Sequence, residues 1–391
     1  MGFSPLKGIK VIEFTHAVMG PSCGMILGDL GAEVVQIEPL MGSPTRRLSG
    51  FGSGYYPYFN RNKKSLCLQL KEEKGHEIAK KLIQKSDVVI ENFAPGTMER
   101  LELSYDKLQK DHPGLVYCSM KGFLDGPYEN RSAMDEVVQM MGGLAYMTGP
   151  KGKPLRAGSS VVDISGGMFG VIGVMAALLE REQTGKGKYL KSALFETTAF
   201  LMGQHMAWSL KAKTPIPPMP ERVSAWSIYQ VFETKDHPTF VGVISEKHWQ
   251  AFCSAFQKDQ WLKREEFKTN NERIKARELL LPLVKELLAQ YSQKEIMSRL
   301  EEAKVPFAPI GRPEDLFEDP HLEASGGLVE TPFPDSKGGK LPRLPIQWGS
   351  ERSELQRPPP KAGEHTFEVL SGWLGYEKEA LKTLCDNGTI A

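Results

Sequence analysis

LKGIKVIEFTHAVMGPSCGMILGDLGAEVVQIE, residues 6–38, holds the pattern that decides the fold. GIKVIEF (8–14) is a β-rich run, the segment 21–31 is a helix punctuated by glycine, and EVVQIE (33–38) is a second β-rich run. Two apolar strands joined through a helix make a βα crossover, which calls for parallel strands covered by helices. The unit recurs along the chain. KSLCLQL (64–70) precedes a charged amphipathic helix over 72–83, DVVIENF (87–93) precedes a helix over 97–109, and LVYCSMKGFL (115–124) supplies a further strand. A helix over 165–182, a turn at Thr184-Gly185-Lys186-Gly187 and a returning strand YLKSALFE (189–196) extend the same alternation. The reading is an α/β fold on a largely parallel sheet.

From about residue 212 the texture changes. KTPIPPMPER cannot continue a helix, so 212–225 reads as a linker after a first part spanning 1–211. A smaller unit over 226–326 follows, with a hairpin turning near Lys235-Asp236-His237-Pro238 and helices over 247–256, 271–289 and 292–303; VPFAPIG (305–311) closes it. The tail, 327–391, ends in a helix over 364–386, and periodicity alone does not decide whether it rejoins the first part.

Composition excludes some partners. A formal net charge of +1 gives no reason to expect nucleic acid or an anionic membrane surface. The cysteines (Cys23, Cys67, Cys118, Cys253, Cys385) are odd in number, far apart and without a CxxC pair. That argues for reduced thiols in a cytoplasmic compartment and against a disulfide scaffold or a zinc knuckle. The first residues carry no signal-peptide apolar region. The longest uncharged stretch, Ile164 to Leu179, is too short to span a bilayer and reads as a buried helix.

The usual short signatures of phosphate loops, zinc proteases and serine hydrolases are missing. Gly20, Gly24, Gly28 and Gly31 follow a strand, but their spacing does not supply the turn that seats a pyrophosphate. They read either as close helix–sheet packing or, at Met19-Gly20-Pro21, as a loop near phosphate. Arg61, Lys63 and Lys64 precede a strand and read either as solvated charge or as a phosphate clamp. Asn92-Phe93-Ala94-Pro95-Gly96 lies beyond the carboxyl end of a parallel strand, where ligands bind. Asp163 opens an apolar helix: it is either that helix's N-cap or an ionised nucleophile with small neighbours, and periodicity does not choose. Asp135 likewise reads as a cap opening 135–142.

Taken in order, several segments resemble the class III CoA-transferase, or CaiB/BaiF, family over essentially the whole chain. Beside 6–38 they include YFNRNKKSLCLQL (58–70), DVVIENFAPGTMERL (87–101), YCSMKG (117–122), SAMDEVVQMMGGLAYMTG (132–149), VVDISGGMFGVIGVMAALLEREQTGKG (161–187), VPFAPIG and GEHTFEVL (363–370). The resemblance implies a Rossmann-like large domain made from both chain ends, a smaller inserted α+β domain, and an interlocked homodimer. It implies an enzyme that moves CoA from an acyl-CoA donor, such as succinyl-CoA, to a small carboxylic or dicarboxylic acid. CoA thioesters are then substrates, with no permanently bound cofactor and no metal. The family's transferase aspartate falls on Asp163, which would pass through anhydride and aspartyl-CoA thioester intermediates. The family's CoA contacts fall near His16, Val18, Met19, Lys63, Asn92, Phe93, Arg100 and Lys121. Arg46, Arg47, Tyr58 and Gly166 fall on its acid side, where arginine forks suit a second carboxylate. Two other readings belong to the same resemblance: a 2-methylacyl-CoA racemase, or a CoA-binding protein without catalysis. The racemase pattern has a histidine before the aspartate matched by Asp135, whereas this chain has Met134. The acidic residue of the GDxxR pattern is also missing, since Gly42-Ser43-Pro44-Thr45-Arg46 stands there.

Overall fold

The structure is a computed structural model and describes residues 3–222 and 224–391. Strands β1 (Lys10–Phe14), β2 (Glu33–Glu38), β3 (Lys63–Cys67), β4 (Val88–Glu91), β5 (Val116–Lys121) and β6 (Tyr189–Ala193) form one sheet in the order β3-β2-β1-β4-β5-β6. Every pairing is parallel; Val11 of β1 sits between Val34 of β2 and Val88 of β4. The chain winds outward from β1 to β3, then returns to β4 beside β1. That reversal opens a crevice at the carboxyl ends of β1 and β4, the place where such sheets bind ligands.

Alternation along the strands divides the core. Val11, Val34, Val88 and Cys118 point to one face, where they meet Cys23 and Leu27 of α1 (Met19–Asp29). Ile12, Phe14, Val35 and Val89 point to the other, under Ile78 and Leu82 of α2 (Glu73–Gln84). The helix expected over 97–109 breaks after α3 (Thr97–Arg100), because Glu102 takes a left-handed φ of 51°. Past β5, the crossover passes through α4 (Asp135–Met141) and α5 (Val161–Thr184). YLKSALFE does not remain extended: β6 stops at Ala193 and α6 (Leu194–Ala212) starts.

Helix α5 is apolar but only half-buried, which corrects the expectation of a buried helix. Val162, Gly166, Gly167, Gly170 and Val174 are buried, whereas Met168, Ile172 and Leu179 are 50%, 60% and 62% exposed. By length and composition alone it could cross a membrane. Its glycine face lets α1 approach: a Cβ on Gly167 would lie 2.0 Å from Ser22 Oγ. The glycines of α1 serve close packing too, since a Cβ on Gly24 would lie 1.6 Å from Glu13 Oε2.

The chain divides into two compact units, one of Met1–Pro220 with Pro320–Ala391 and one of Glu221–Asp319. In the second, β7 (Ile228–Phe232), β8 (Thr239–Val243) and β9 (Phe307–Pro309) form an antiparallel sheet. It packs with α7 (Glu246–Ala255), α8 (Arg277–Leu288) and α9 (Gln293–Glu302) around Trp249, Phe252 and Leu280. The helix expected over 271–289 is interrupted at Ala276. In the first unit, the tail supplies α10 (Thr366–Leu374) and α11 (Lys378–Asp386), separated by Gly375 at φ 71° instead of running on as one helix. Asn62 fixes the tail beside β3, its Oδ1 accepting from the backbone N–H groups of Gln356 (2.7 Å) and Arg357 (3.0 Å).

Candidate active site

The loops after β1 and β4 are tied together at the crevice. Asn92 Oδ1 accepts from the His16 N–H (3.0 Å), and Asn92 Nδ2 donates to the His16 carbonyl (2.9 Å). The His16 ring stacks on Phe93 at 6.1 Å, and burial pushes its pKa down. Lys121, at the end of β5, donates to Glu91 and to the Phe93 carbonyl, each at 2.7 Å, and so holds the same loop from the other side.

A cavity of about 550 Å³ opens here, ample for the acyl and thiol end of a small ligand. It brings together His16, Val18, Met19, Asn92, Phe93, Lys121 and Asp163, residues far apart in sequence. Arg100 lies elsewhere: it lines a second cavity with Leu70, Lys71 and Leu101, and Phe93 walls both. The two cavities therefore share Phe93.

Asp163 is the third residue of α5, not its N-cap; the capping position is Ser160, whose side chain makes no cap bond. The cap comes from α4. Asp135 Oδ2 accepts from the N–H groups of Val162 (2.9 Å) and Asp163 (3.1 Å), so Asp135 serves another helix than the one it opens. Among the described residues nothing hydrogen-bonds to the Asp163 carboxylate. Burial, and next the Asp135 charge, raise its pKa from 3.8 to about 7, with Arg156 pulling the other way. The expectation that the helix start keeps this carboxylate firmly ionised is thereby corrected.

Other expectations fail for identifiable reasons. Lys63 is fully buried, its ammonium bound to Glu13 (2.8 Å), the Pro21 carbonyl (2.9 Å) and Asn60 (3.1 Å). A group so enclosed cannot reach a phosphate. Arg61 is buried against Asp29, and Lys64 pairs with Glu33 and Glu368, so the 61–64 cluster is structural. Arg46 spends its fork on Glu38 (2.6 and 2.8 Å) and the Pro360 carbonyl (2.8 Å), and stacks on Tyr56 at 3.8 Å. Arg47 binds the Met41 carbonyl (2.7 Å), and Tyr58 packs on Phe59 and under Arg61. None of these lines the Asp163 cavity, and neither does Gly166, which is buried under Met19.

The sequence reading passed over Arg131 and Arg156 as site residues and read Asp135 as a cap or as the aspartate of the racemase pattern; all three line the cavity, together with Tyr55. The signal for Arg131 was its place in the loop beyond β5, at the same sheet edge as the Asn92 loop. Arg131 lies at 4.9 Å over the Tyr128 ring, and among the described residues no carboxylate pairs with it. Arg156 is occupied by Glu136 and stands 3.7 Å from Asp135.

A carboxylate at a switch-point crevice, beside two cavities that share Phe93 on a parallel sheet, fits acyl-group chemistry. Comparison with known proteins agrees: residues 6–366 match the family described as CoA-transferase family III, and the chain belongs to it. It is an enzyme that transfers CoA. It is 30% identical to the succinyl-CoA:glutarate CoA-transferase of Homo sapiens, over 99% of this chain and 90% of that one. Identity is also 30% to a formyl-CoA:oxalate CoA-transferase of Streptomyces avermitilis, over 98% and 99% of the two chains. A crystal structure of a CaiB/BaiF family protein from Brucella suis superposes with a TM-score of 0.84 at 29% identity, covering 95% of this chain and 99% of that one.

Proposed function

We propose that this enzyme passes CoA from an acyl-CoA donor to a small dicarboxylic acid, with Asp163 as the covalent carrier. The observation that carries the reading is the unbonded, half-buried Asp163 carboxylate in the cavity that shares Phe93 with the Arg100 cavity. CoA lies across Phe93, with its nucleotide toward Arg100 and its sulfur toward Asp163. The Asp163 carboxylate attacks the donor thioester carbonyl; the C–S bond breaks, leaving an aspartyl anhydride and the CoA thiolate. The thiolate attacks the aspartyl carbonyl, forming aspartyl-CoA and releasing the donor acid. The acceptor carboxylate attacks this thioester and expels the thiolate, which then attacks the acyl side of the new anhydride. The new acyl-CoA leaves and Asp163 is restored as a carboxylate. Each intermediate stays an activated acyl group, so exclusion of water preserves its transfer potential. Gly166 and Gly167 sit in the second turn of α5, where the helix ladder uses their N–H groups; Met19 and Gly20, in the first turn of α1, have N–H groups left for an oxyanion.

A dicarboxylate acceptor is supported by the named substrates of the human relative and by Arg131, a guanidinium without a carboxylate partner among the described residues, which lines the same cavity. The test is an exchange screen by mass spectrometry, with succinyl-CoA and pooled mono- and dicarboxylic acids. New acyl-CoA species are expected from dicarboxylates of up to a few methylenes. Arg131→Ala should cut their transfer roughly 10- to 100-fold, the worth of one charge-assisted contact, and spare monocarboxylates. Transfer to monocarboxylates alone would overturn the reading.

The interlocked homodimer implied by the family resemblance is supported by the uncovered apolar side chains of α5 and by Phe200 of α6, which is 71% exposed. Light scattering should give twice the 43.6 kDa chain mass at micromolar concentration; a monomer would remove the homodimer from the proposal.

A further inference from the structure

We propose that Asp135 is the positioning residue for Asp163: its carboxylate takes the two N–H groups at the start of α5 that would otherwise satisfy the Asp163 carboxylate, and leaves that carboxylate free for acyl transfer. This inference rests on the reading of Asp163 as the carrier.

An aspartate at the third position of a helix ordinarily folds back onto the exposed N–H groups of the first turn, and the positive end of the helix keeps it weakly basic. Here two of those donors are already used. Val162 and Asp163 both donate to Asp135 Oδ2, while Asp135 Oδ1 accepts from Gln139 Nε2. Asp135 is itself 6% exposed, so its charge lies against the helix end with little water between. Two consequences follow. The anionic cap cancels the helix-end field at Asp163, and it holds α5 by its backbone with no demand on the Asp163 side chain. A carboxylate in that setting is more basic and less solvated, which strengthens it as a nucleophile toward a thioester. The other charged or titratable groups that line the cavity are His16, Tyr55, Lys121, Glu129, Arg131, Glu136 and Arg156. Arg156 is the cation that opposes the shift at Asp163.

Asp135→Asn keeps an acceptor oxygen for the α5 N–H groups and removes the charge. The acid limb of the transfer rate against pH should then move down by about one unit, because a like charge near the carboxylate is gone. Asp135→Ser, which keeps one acceptor, should move it the same way, and Asp135→Glu should restore the wild-type limb. A limb that stays in place in folded Asn and Ser variants overturns the proposal, as does loss of fold in both, since Asp135 would then be a structural cap alone. Trapping of CoA on Asp163 by mass spectrometry separates the two levels. If no CoA adduct forms on Asp163 in the wild type, the carrier reading fails; an adduct with an unmoved limb defeats only the role of Asp135.

Discussion

Asp163→Asn is expected to lower CoA transfer by on the order of 10⁴-fold or more, as when a covalent nucleophile is removed elsewhere. CoA affinity should stay within a few-fold, because the residues around Phe93 and Arg100 are untouched. The variant must be checked for deamidation, which would regenerate the aspartate. The wild-type enzyme should show the matching pH dependence. The proposed nucleophile acts in its ionised form, and its pKa is raised from 3.8 to about 7, so activity is expected to rise with pH through neutrality. The stability linkage has the opposite slope. Between the unfolded and folded pKa values the native state binds the extra proton, so the contribution of Asp163 to stability is lost as pH rises from about 4 through about 7. Asn carries no such charge beside Asp135, and the variant should melt at or above the wild-type temperature at pH 8. An inactive variant that also unfolds would leave its inactivity without chemical meaning; an active one would remove Asp163 from the mechanism.

The sheet was legible because each strand is an apolar run bounded by glycine or charge, and β2 begins and ends where its sequence pattern does. The breaks were less so. The split between α10 and α11 rests on the left-handed Gly375, and the helical start at Leu194 rests on packing of α6, which no local pattern announces. The site divided along similar lines. Asn92, Phe93 and Asp163 lie at strand or helix ends, which sequence locates well. Arg46, Lys63 and Arg131 are the instructive cases. Charge in a sequence does not say whether its partner is a ligand or a buried carboxylate, and Glu13, Asp29 and Glu38 claim Lys63, Arg61 and Arg46 only once β1, α1, β2 and β3 are assembled. Arg131 sits in an irregular crossover, where no period marks a side chain as facing inward.

Lys63→Met is the sharpest test of that distinction, and its expected effect falls on stability. The Lys63 and Glu13 side chains are both 0% exposed. Removing one member of a buried pair leaves the other uncompensated, at a cost of about 3–5 kcal/mol. The melting midpoint should fall by roughly 4–6 °C for a chain of this size. Glu13 is the group left behind, and its Oε2 already lacks a partner. Burial raises its pKa, and Lys63 is the first of the groups that hold it down. Without the lysine the native state takes up a proton on Glu13 at higher pH than the unfolded chain does. The loss should therefore be smaller near pH 5 than at pH 8. Lys63→Met combined with Glu13→Gln removes the stranded charge and should recover most of the stability, with a positive coupling between the two sites. Arg100→Ala is the opposite case: an exposed side chain bonded, among the described residues, only to Thr97 Oγ1 (2.9 Å). It should leave the melting midpoint in place and weaken CoA binding, more so at low salt. If Lys63→Met instead kept wild-type stability and weakened CoA binding with a marked salt dependence, the buried pair would not be the role of Lys63, and the phosphate clamp read from NRNKKS would return.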